Sequence, residues 1–422
     1  HENQDEALAI LLRSNPFPSI CGRACPAPCM EACNRIEIDG AVNVRQMERY
    51  AGDHGEAVPE KLAEHDEEIA IVGSGPAGLT AAYHLGRFGY RVTVFESGPE
   101  IGGLLRTGIP EFRLPDDVVS REIDRILALG VEVETNYVVD RQALLDLARE
   151  HDAVLVATPP ATHPDIALHF LRSGIPVLCE KPLAIDIPAA QIMVDESRRT
   201  SVPLTMASKF RYVPDITAAR NLIEAGTIGE IILYENTFAS HVDMSRRWNS
   251  VAEISGGGVL IDNGTHSLDI ARYLLGPIAQ VLAVEGKRVQ SVDVEDTARI
   301  FFTTARGVSG NIDLSWSVNK ERDSFIEIYG SDGTILVGWQ KSVYRLSSSE
   351  EWVQFGNGYN KMEAMSAQVD NFLHSLNGDE ALLIEAEDGI ASVAVVEAAY
   401  ASLNRPQWIA VQGGSDSDRV VA

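Results

Sequence analysis

The sequence has no long apolar run, few basic residues, and almost no cysteine outside one short segment. No uncharged apolar stretch approaches the roughly 18 residues a membrane-spanning helix needs, so no span is expected. Lys and Arg number 35 against 61 Asp and Glu, a net charge of −26. Such a surface repels phosphates, which sets aside nucleic acid and anionic membranes as partners. There is no internal repeat and no low-complexity tract. With 45% hydrophobic and 23% charged residues, the composition is that of packed globular cores, and collagen-like, mucin-like and disordered classes are excluded. The chain starts at His1 rather than Met with no apolar signal stretch after it, which reads as a fragment or processed form. Four of the five cysteines lie within residues 21–33, and Cys179 stands alone. A secreted disulfide framework would spread its cysteines, whereas one tight cluster points to metal or iron–sulfur ligation in a reducing, cytoplasmic compartment.

A length of 422 residues suggests roughly three domains. Residues 1–66 are irregular and rich in Glu, Cys and Pro, and residues 55–66 read as an acidic linker. Residues 67–182 alternate short apolar strands with amphipathic helices, the pattern of a parallel α/β domain. Strands are expected near residues 69, 92, 131, 152 and 177, with a helix over 140–151. Residues 183–422 carry longer alternating strands, such as 231–238, 298–303 and 310–316, as an antiparallel sheet does. The expected fold is a helical Cys-containing segment, a Rossmann-like doubly wound parallel sheet, then an α+β domain with a large, mostly antiparallel sheet.

The apolar strand 69–72 runs directly into Gly73-Ser74-Gly75-Pro76-Ala77-Gly78 and a helix. This is G-x-G-x-x-G in its strand–turn–helix setting. Gly73 permits the tight turn, Gly75 lets the backbone approach a pyrophosphate, and Gly78 lets helix and strand pack closely. The helix N-terminus then offers free N–H groups to the phosphates. Glu96 ends the next strand, 18 residues after Gly78. It can accept bonds from ribose hydroxyls and would repel a 2′-phosphate, which favours NAD over NADP.

Residues 15–35, NPFPSICGRACPAPCMEACNR, resemble the amino-terminal region of the glutamate synthase small subunit and the related part of dihydropyrimidine dehydrogenase. The likeness continues through Gly73–Gly78 and residues 102–110, GGLLRTGIP, to about residue 136. It implies FAD on the glycine motif and an iron–sulfur cluster on Cys21, Cys25, Cys29 and Cys33. The spacing of four would line these cysteines on one face of an unbroken helix. Pro26 and Pro28 prevent that, so the loop can fold around a cluster. The family's clusters also draw on a second, upstream cysteine group that this chain does not contain, and the alternative is a vestigial cysteine segment. Cys179 reads as a buried core thiol.

From about residue 138 to 411 the chain resembles a different family, the Gfo/Idh/MocA oxidoreductases. The carrying stretches are 158–163, Glu180-Lys181-Pro182, 210–214, 226–229, 256–276 and 329–334. Hydride transfer from a carbinol needs a base for the hydroxyl proton and a positive group for the developing oxyanion. The resemblance implies Lys181 beside the nicotinamide and the reacting hydroxyl, with Asp262 and His266 at the substrate. Four residues apart, these two share one face of a helix. His266 can act as base, Lys181 can bind the oxygen, and Asp262 can orient His266 or bind a neighbouring hydroxyl. Thr158, Pro159, His163 and Glu180 are expected along the cofactor. Lys209, Arg211 and Tyr212 face either substrate or core. Trp248, with Arg246 and Arg247, is placed to close over a polyhydroxylated or acidic ligand, and Asp269 supports structure. The resemblance also implies a homo-oligomer packed through the large sheet.

The leading expectation is an NAD(P)-dependent oxidoreductase acting on a sugar, inositol or similar polyol. The alternatives are a FAD and iron–sulfur electron-transfer protein, for which the second flavin half is missing, and a non-catalytic nucleotide-binding fusion.

Overall fold

The computed structural model describes residues 3–31, 33–139, 152–245 and 247–412. The chain forms two compact units. The first is His1–Ala157 with Ser173–Ile175, the second Thr158–Arg172 with Pro176–Ala422.

The first unit opens with helices Gln4–Leu11, Pro18–Ala24, Pro28–Glu31 and Val44–His54. As the prolines dictate, the second helix ends at Cys25, whose backbone is extended, and a new helix begins at Pro28. Leu8, Leu12 and Ala51 make a small core. Helices Pro18–Ala24 and Val44–His54 meet backbone to backbone, since a Cβ on Gly52 would lie 2.4 Å from Ser19 Oγ and one on Gly22 would lie 2.4 Å from Arg49 Cβ.

Four parallel strands follow: β1 (Glu68–Val72), β2 (Arg91–Phe95), β3 (Glu132–Glu134) and β4 (Ala153–Val156). Their order is β3-β2-β1-β4. Helices Pro76–Phe88 and Asp116–Leu127 accompany them. Gly89, at φ +96°, closes the first of these in the left-handed conformation glycine tolerates. The expected helix over 140–151 lies outside the described residues.

Helix Asp116–Leu127 anchors the cysteine-bearing segment. The fully buried Glu122 accepts the N–H groups of Ser19 (2.6 Å) and Ile20 (3.0 Å), the free donors of helix Pro18–Ala24. Arg125 donates to Glu122 (3.3 Å) and to the carbonyl of Gly52 (2.8 Å), and Arg121 and Arg23 both hold Asp53 at 2.8 Å. The Tyr83 hydroxyl donates to the carbonyl of Leu12. Polar bonds thus reinforce this attachment alongside the buried Phe17 and Ile20.

The second unit supplies two further parallel Rossmann strands, β5 (Val177–Glu180) and β6 (Leu204–Ala207), with helices His163–Arg172 and Ile187–Thr200. Among the described residues the Rossmann strands thus number six. Then come β7 (Ile231–Ala239), β8 (Ile278–Glu285), β9 (Thr297–Thr304), β10 (Ser309–Ser315), β11 (Ser324–Gly330), β12 (Gly333–Gly338), β13 (Ser342–Leu346), β14 (Val353–Gly356) and β15 (Ile409–Ala410). They form one sheet in the order β14-β13-β12-β11-β7-β10-β9-β8-β15. All its pairs are antiparallel except β7 with β10. Alternate residues Ala298, Ile300 and Phe302 of β9 are buried in one core with Ile312 and Leu314 of β10 and with Leu260, Leu268 and Ile270 of helix Val259–Leu275.

Candidate active site

In the first unit the glycine turn has the geometry its sequence predicts. Gly73 stands at φ +104°. A Cβ on Gly78 would fall 2.0 Å from the Gly73 carbonyl oxygen, so only glycine lets helix and strand approach this closely. A Cβ on Gly75 would meet nothing within 4 Å, so there is open space just where a pyrophosphate reaches the helix N-terminus. Pro76 and Ala77 open that helix and are exposed, and Ser74 is buried. The residues therefore fit a dinucleotide.

Glu96 is more occupied than its sequence position suggests. One carboxylate oxygen accepts both the N–H (3.0 Å) and the hydroxyl of Ser74, the other the N–H of Gly98 (2.8 Å) and the hydroxyl of Ser97 (3.2 Å). Burial raises its pKa, but these bonds outweigh burial and hold the carboxyl below its ordinary value. Ribose hydroxyls would have to exchange with those of Ser74 or Ser97. The Gly102–Gly103 loop lies against the turn: Gly102 N–H donates to the Ser74 carbonyl (3.1 Å), and a Cβ on Gly103 would be 2.9 Å from Gly75 Cα.

The four clustered cysteines do not converge. Cys25 and Cys33 sulfurs accept the N–H groups of Ala27 and Val42, both at 3.3 Å, and the Cys21 thiol reaches Asn15 Oδ1 at 3.7 Å. Among the described residues no three Cys, His, Asp or Glu side chains come together as a metal site. Cys179 is wholly buried.

The second unit brings together the residues expected to react. Lys181 follows the carboxyl end of β5, and its ammonium donates to the Asp262 carbonyl (3.0 Å) and carboxylate (2.5 Å). Asp262 stands in the first turn of helix Val259–Leu275, with His266 one turn on. Three glycines precede that helix for steric reasons. Gly256 and Gly257 have φ of +82° and +157°, and a Cβ on Gly257 or Gly258 would strike Tyr400 Oη at 1.9 Å or the Glu295 carbonyl at 2.1 Å. The buried Glu295 carboxylate then accepts the N–H groups of Gly258 and Leu260, both at 3.0 Å, doing the work of an N-cap side chain.

Asp262 meets Lys181 rather than His266. The imidazole Nε2 instead faces the ammonium of Lys209 at 3.4 Å, and the buried Nδ1 has no hydrogen-bond partner among the described residues. Burial, then the charges of Lys209, Lys181 and Lys361, keep the His266 pKa well below its usual value, so the ring is neutral. Burial, then Lys181, pushes the Lys209 ammonium down to about 8. The rings of Phe210 and His266 meet edge to face at 5.1 Å, and Tyr359 stacks on Phe210 at 5.0 Å.

His163 is fully buried, with its ring nitrogens 2.8 Å from the Thr158 carbonyl and 3.1 Å from the Pro182 carbonyl. It therefore ties the Thr158-Pro159 loop to the Lys181 loop. Glu180 accepts the backbone N–H of Lys181 at 3.0 Å. Arg211 has little left for a substrate: it is buried, its guanidinium grips Asp269 at 2.6 and 2.9 Å, and it pairs with Asp388 at 3.2 Å. Asp269 also accepts from Ser208 and Ser392, as a structural residue does. The Tyr212 hydroxyl donates to Asn371 at 3.0 Å. Trp248 is half-buried in the short turn Trp248–Ser250, and Arg246 lies outside the described residues. Lys361 and Tyr359 were not apparent from the sequence. Tyr359 stacks on Phe210 and Lys361 opens the helix Lys361–Leu376, about 95 residues after His266, and no local motif marks them.

Three family models match the chain. Residues 68–208 match the oxidoreductase family with an NAD-binding Rossmann fold, Gfo/Idh/MocA. Residues 216–336 match the Gfo/Idh/MocA C-terminal domain. Residues 1–59 match dihydropyrimidine dehydrogenase domain II, a 4Fe-4S cluster domain. The chain therefore joins an amino-terminal region of the dihydropyrimidine dehydrogenase and glutamate synthase type to the Rossmann and carboxy-terminal domains of the Gfo/Idh/MocA family. The Rossmann match begins ahead of the boundary expected near residue 138.

Among curated relatives, the NADPH-Fe(3+) oxidoreductase subunit beta of Geobacter sulfurreducens is 38% identical over 167 residues, 38% of this chain and 25% of that protein. The glutamate synthase [NADPH] small chain of Bacillus subtilis is 37% identical over 171 residues, 39% of this chain and 34% of that protein. This chain thus spans about a quarter to a third of these relatives. Among solved structures, a levoglucosan dehydrogenase complexed with NADH and levoglucosan has a TM-score of 0.69 at 20% identity, covering 82% of this chain and 100% of that one. An oxidoreductase from Agrobacterium radiobacter in complex with NAD+, L-tartaric acid and magnesium scores 0.68 at 22% identity, covering 83% and 99%. Both show the fold. No helix among the described residues is long and apolar enough to cross a membrane.

Proposed function

We propose that the protein is an NAD(P)-dependent oxidoreductase that moves a hydride between nicotinamide and a carbinol of a sugar, inositol or similar polyol. The observation that carries this reading is the pairing of Lys181 with Asp262 one helical turn from a buried, neutral His266. The family of the Rossmann and carboxy-terminal domains supports it.

The glycine turn of the first unit would take the pyrophosphate, and bound nicotinamide would supply the hydride acceptor or donor. Lys181 donates a hydrogen bond to the substrate oxygen and favours its ionised form, and Asp262 holds that ammonium in place. His266 takes the hydroxyl proton on its unprotonated nitrogen. Three neighbouring lysines disfavour the imidazolium, so the ring readily passes the proton on. Arg211 acts through Asp269, which fixes the helix that carries Asp262 and His266. The ionised Glu96 favours NAD, because it opposes a 2′-phosphate. Exposed Ile232, Leu233 and Val284 on the large sheet support a homo-oligomer, which sedimentation would test.

The test is turnover of NAD+ with a panel of polyols, compared with Lys181→Ala. Turnover that Lys181→Ala abolishes is expected. Turnover that survives the substitution overturns the assignment of Lys181. A flavin reading gains from the Gly102–Gly103 loop packed on the glycine turn. A visible absorbance spectrum of protein purified without air separates the two: flavin bands would overturn nicotinamide as the resident dinucleotide.

A further inference from the structure

The corner around His266 holds more positive charge than a neutral polyol requires. The whole chain carries a net charge of −26, yet three lysines act together on this one imidazole. Only one of them has a counterion. Lys181 is answered by Asp262. The Lys209 ammonium touches His266 Nε2 and lies 5.1 Å above the Phe210 ring, and no carboxylate among the described residues forms an ion pair with it. Lys361 is exposed at the start of helix Lys361–Leu376, and it too makes no ion pair among the described residues. The nearby acids are already engaged: Asp262 by Lys181, and Glu180 by the backbone N–H of Lys181. A cation drawn partly out of water without a counterion, as Lys209 is, is costly unless a ligand brings one, and the exposed Lys361 adds attraction without that cost.

We propose that the substrate is an acidic polyol, a sugar acid whose carboxylate is held by Lys209 and Lys361 while its carbinol meets Lys181 and His266. This rests on the dehydrogenase reading and specifies its substrate class. A carboxylate fits better than a phosphate. Lysine holds either anion, but a phosphate's second charge would call for a further cation, and the nearby Arg211 has its guanidinium taken by Asp269 and Asp388. The carboxylate would have a second effect. Drawing the Lys209 ammonium toward itself frees His266 Nε2, the nitrogen the ammonium now faces, to accept the hydroxyl proton. A neutral sugar would leave that nitrogen covered.

The experiment uses the full chain with NAD+ and compares glucose, glucuronate, gluconate and glucose 6-phosphate by kcat/KM and by calorimetric binding. The sugar acids should exceed glucose by about tenfold or more, the effect of one well-placed ion pair. That ratio should collapse toward unity in Lys209→Gln and in Lys361→Gln, and circular dichroism confirms that both are folded. Equal or better use of glucose, a preference for the phosphate, or an acid-to-neutral ratio unchanged in both variants overturns the proposal. Should nothing be turned over, the dehydrogenase reading fails separately and binding decides. Glucuronate binding that is lost in Lys209→Gln upholds the acidic ligand, whereas equal binding of glucose, or no binding of any of the four, overturns it.

Discussion

Glu122 in the first unit and His266 in the second are both buried, titratable and driven toward their neutral forms by burial. Their surroundings differ. Glu122 accepts two backbone N–H groups and faces Arg125, so its oxygens are satisfied by partners of the right sign. His266 has one nitrogen without a partner and the other against a cation. A buried polar group whose partners are complete holds structure together. One left with an unpartnered nitrogen, its neutral form enforced by nearby cations, is waiting for something else. By this criterion Glu122 fastens the cysteine-bearing segment to the Rossmann strands, and His266 belongs to chemistry.

The strongest way to break this contrast is at Lys181. Replacing it with Ala removes the donor to the substrate oxygen and leaves Asp262 without its ammonium. A loss of about a thousandfold in kcat/KM is expected, the scale of one oxyanion-stabilising group. Thermal stability should change little. A fall in stability that matched the fall in activity would make the Lys181–Asp262 pair structural, like Glu122.

Glu122 should show the opposite pattern, with stability affected and turnover spared. Burial raises its carboxyl from 4.5 to about 7 in the folded protein. The folded state therefore keeps this proton to higher pH than the unfolded state does. Stability from this site is greatest below about pH 4.5, falls as pH rises toward 7, and then levels, a span of about 3 kcal/mol. Glu122→Gln should flatten that slope. All five tryptophans, from Trp248 to Trp408, lie in the second unit. The first unit is therefore better followed by the alkylation of Cys21 in urea. Parallel slopes in wild type and variant would remove Glu122 as the titrating fastener.

The same fastener reaches the cysteines. Burial, then the charge of Glu122, pushes Cys21 up to about 11, whereas the N–H of Val42 holds Cys33 below its ordinary value. Thiolate, not thiol, reacts with alkylating agents. Near pH 8 Cys33, the thiol with the larger thiolate fraction, should be labelled much faster than Cys21. Glu122→Gln should narrow the gap by relieving Cys21. Equal labelling, or protection of all four cysteines until a chelator is added, would show that they are held together in solution.

Much of this was legible in the sequence because it depends on local sterics. The glycine turn, the helix breaks at Pro26 and Pro28, and the placing of Asp262 and His266 on one helix all follow from residues within a few positions of one another. The partners were not legible. That Asp262 meets Lys181 and not His266, and that Arg211 is consumed by Asp269 and Asp388, depend on contacts between segments 81, 58 and 177 residues apart. Family resemblance supplied the candidate reacting residues but not which of them pair. The capping of helix Val259–Leu275 by Glu295 was hidden for the same reason, although the three glycines before it marked a place where the backbone must pass close to something.

The smallest expected effect is also the one that sharpens the contrast most. Lys209 is pushed down to about 8 by burial and Lys181, with Lys361 acting the same way and Glu180 and Asp262 opposing. His266, the group nearest the ammonium, is neutral and adds no charge of its own. Below about pH 8 Lys209 is charged and can hold a carboxylate. Above it the proton is lost, and so is the attraction. The kcat/KM of a sugar acid should therefore fall by about tenfold as pH rises through that value, while its neutral counterpart shows no such fall. In Lys209→Gln the two substrates should give superimposable profiles. A fall shared by both substrates would trace the titration to the reacting centre itself, and would make Lys209 a participant in proton transfer rather than the group that chooses the substrate.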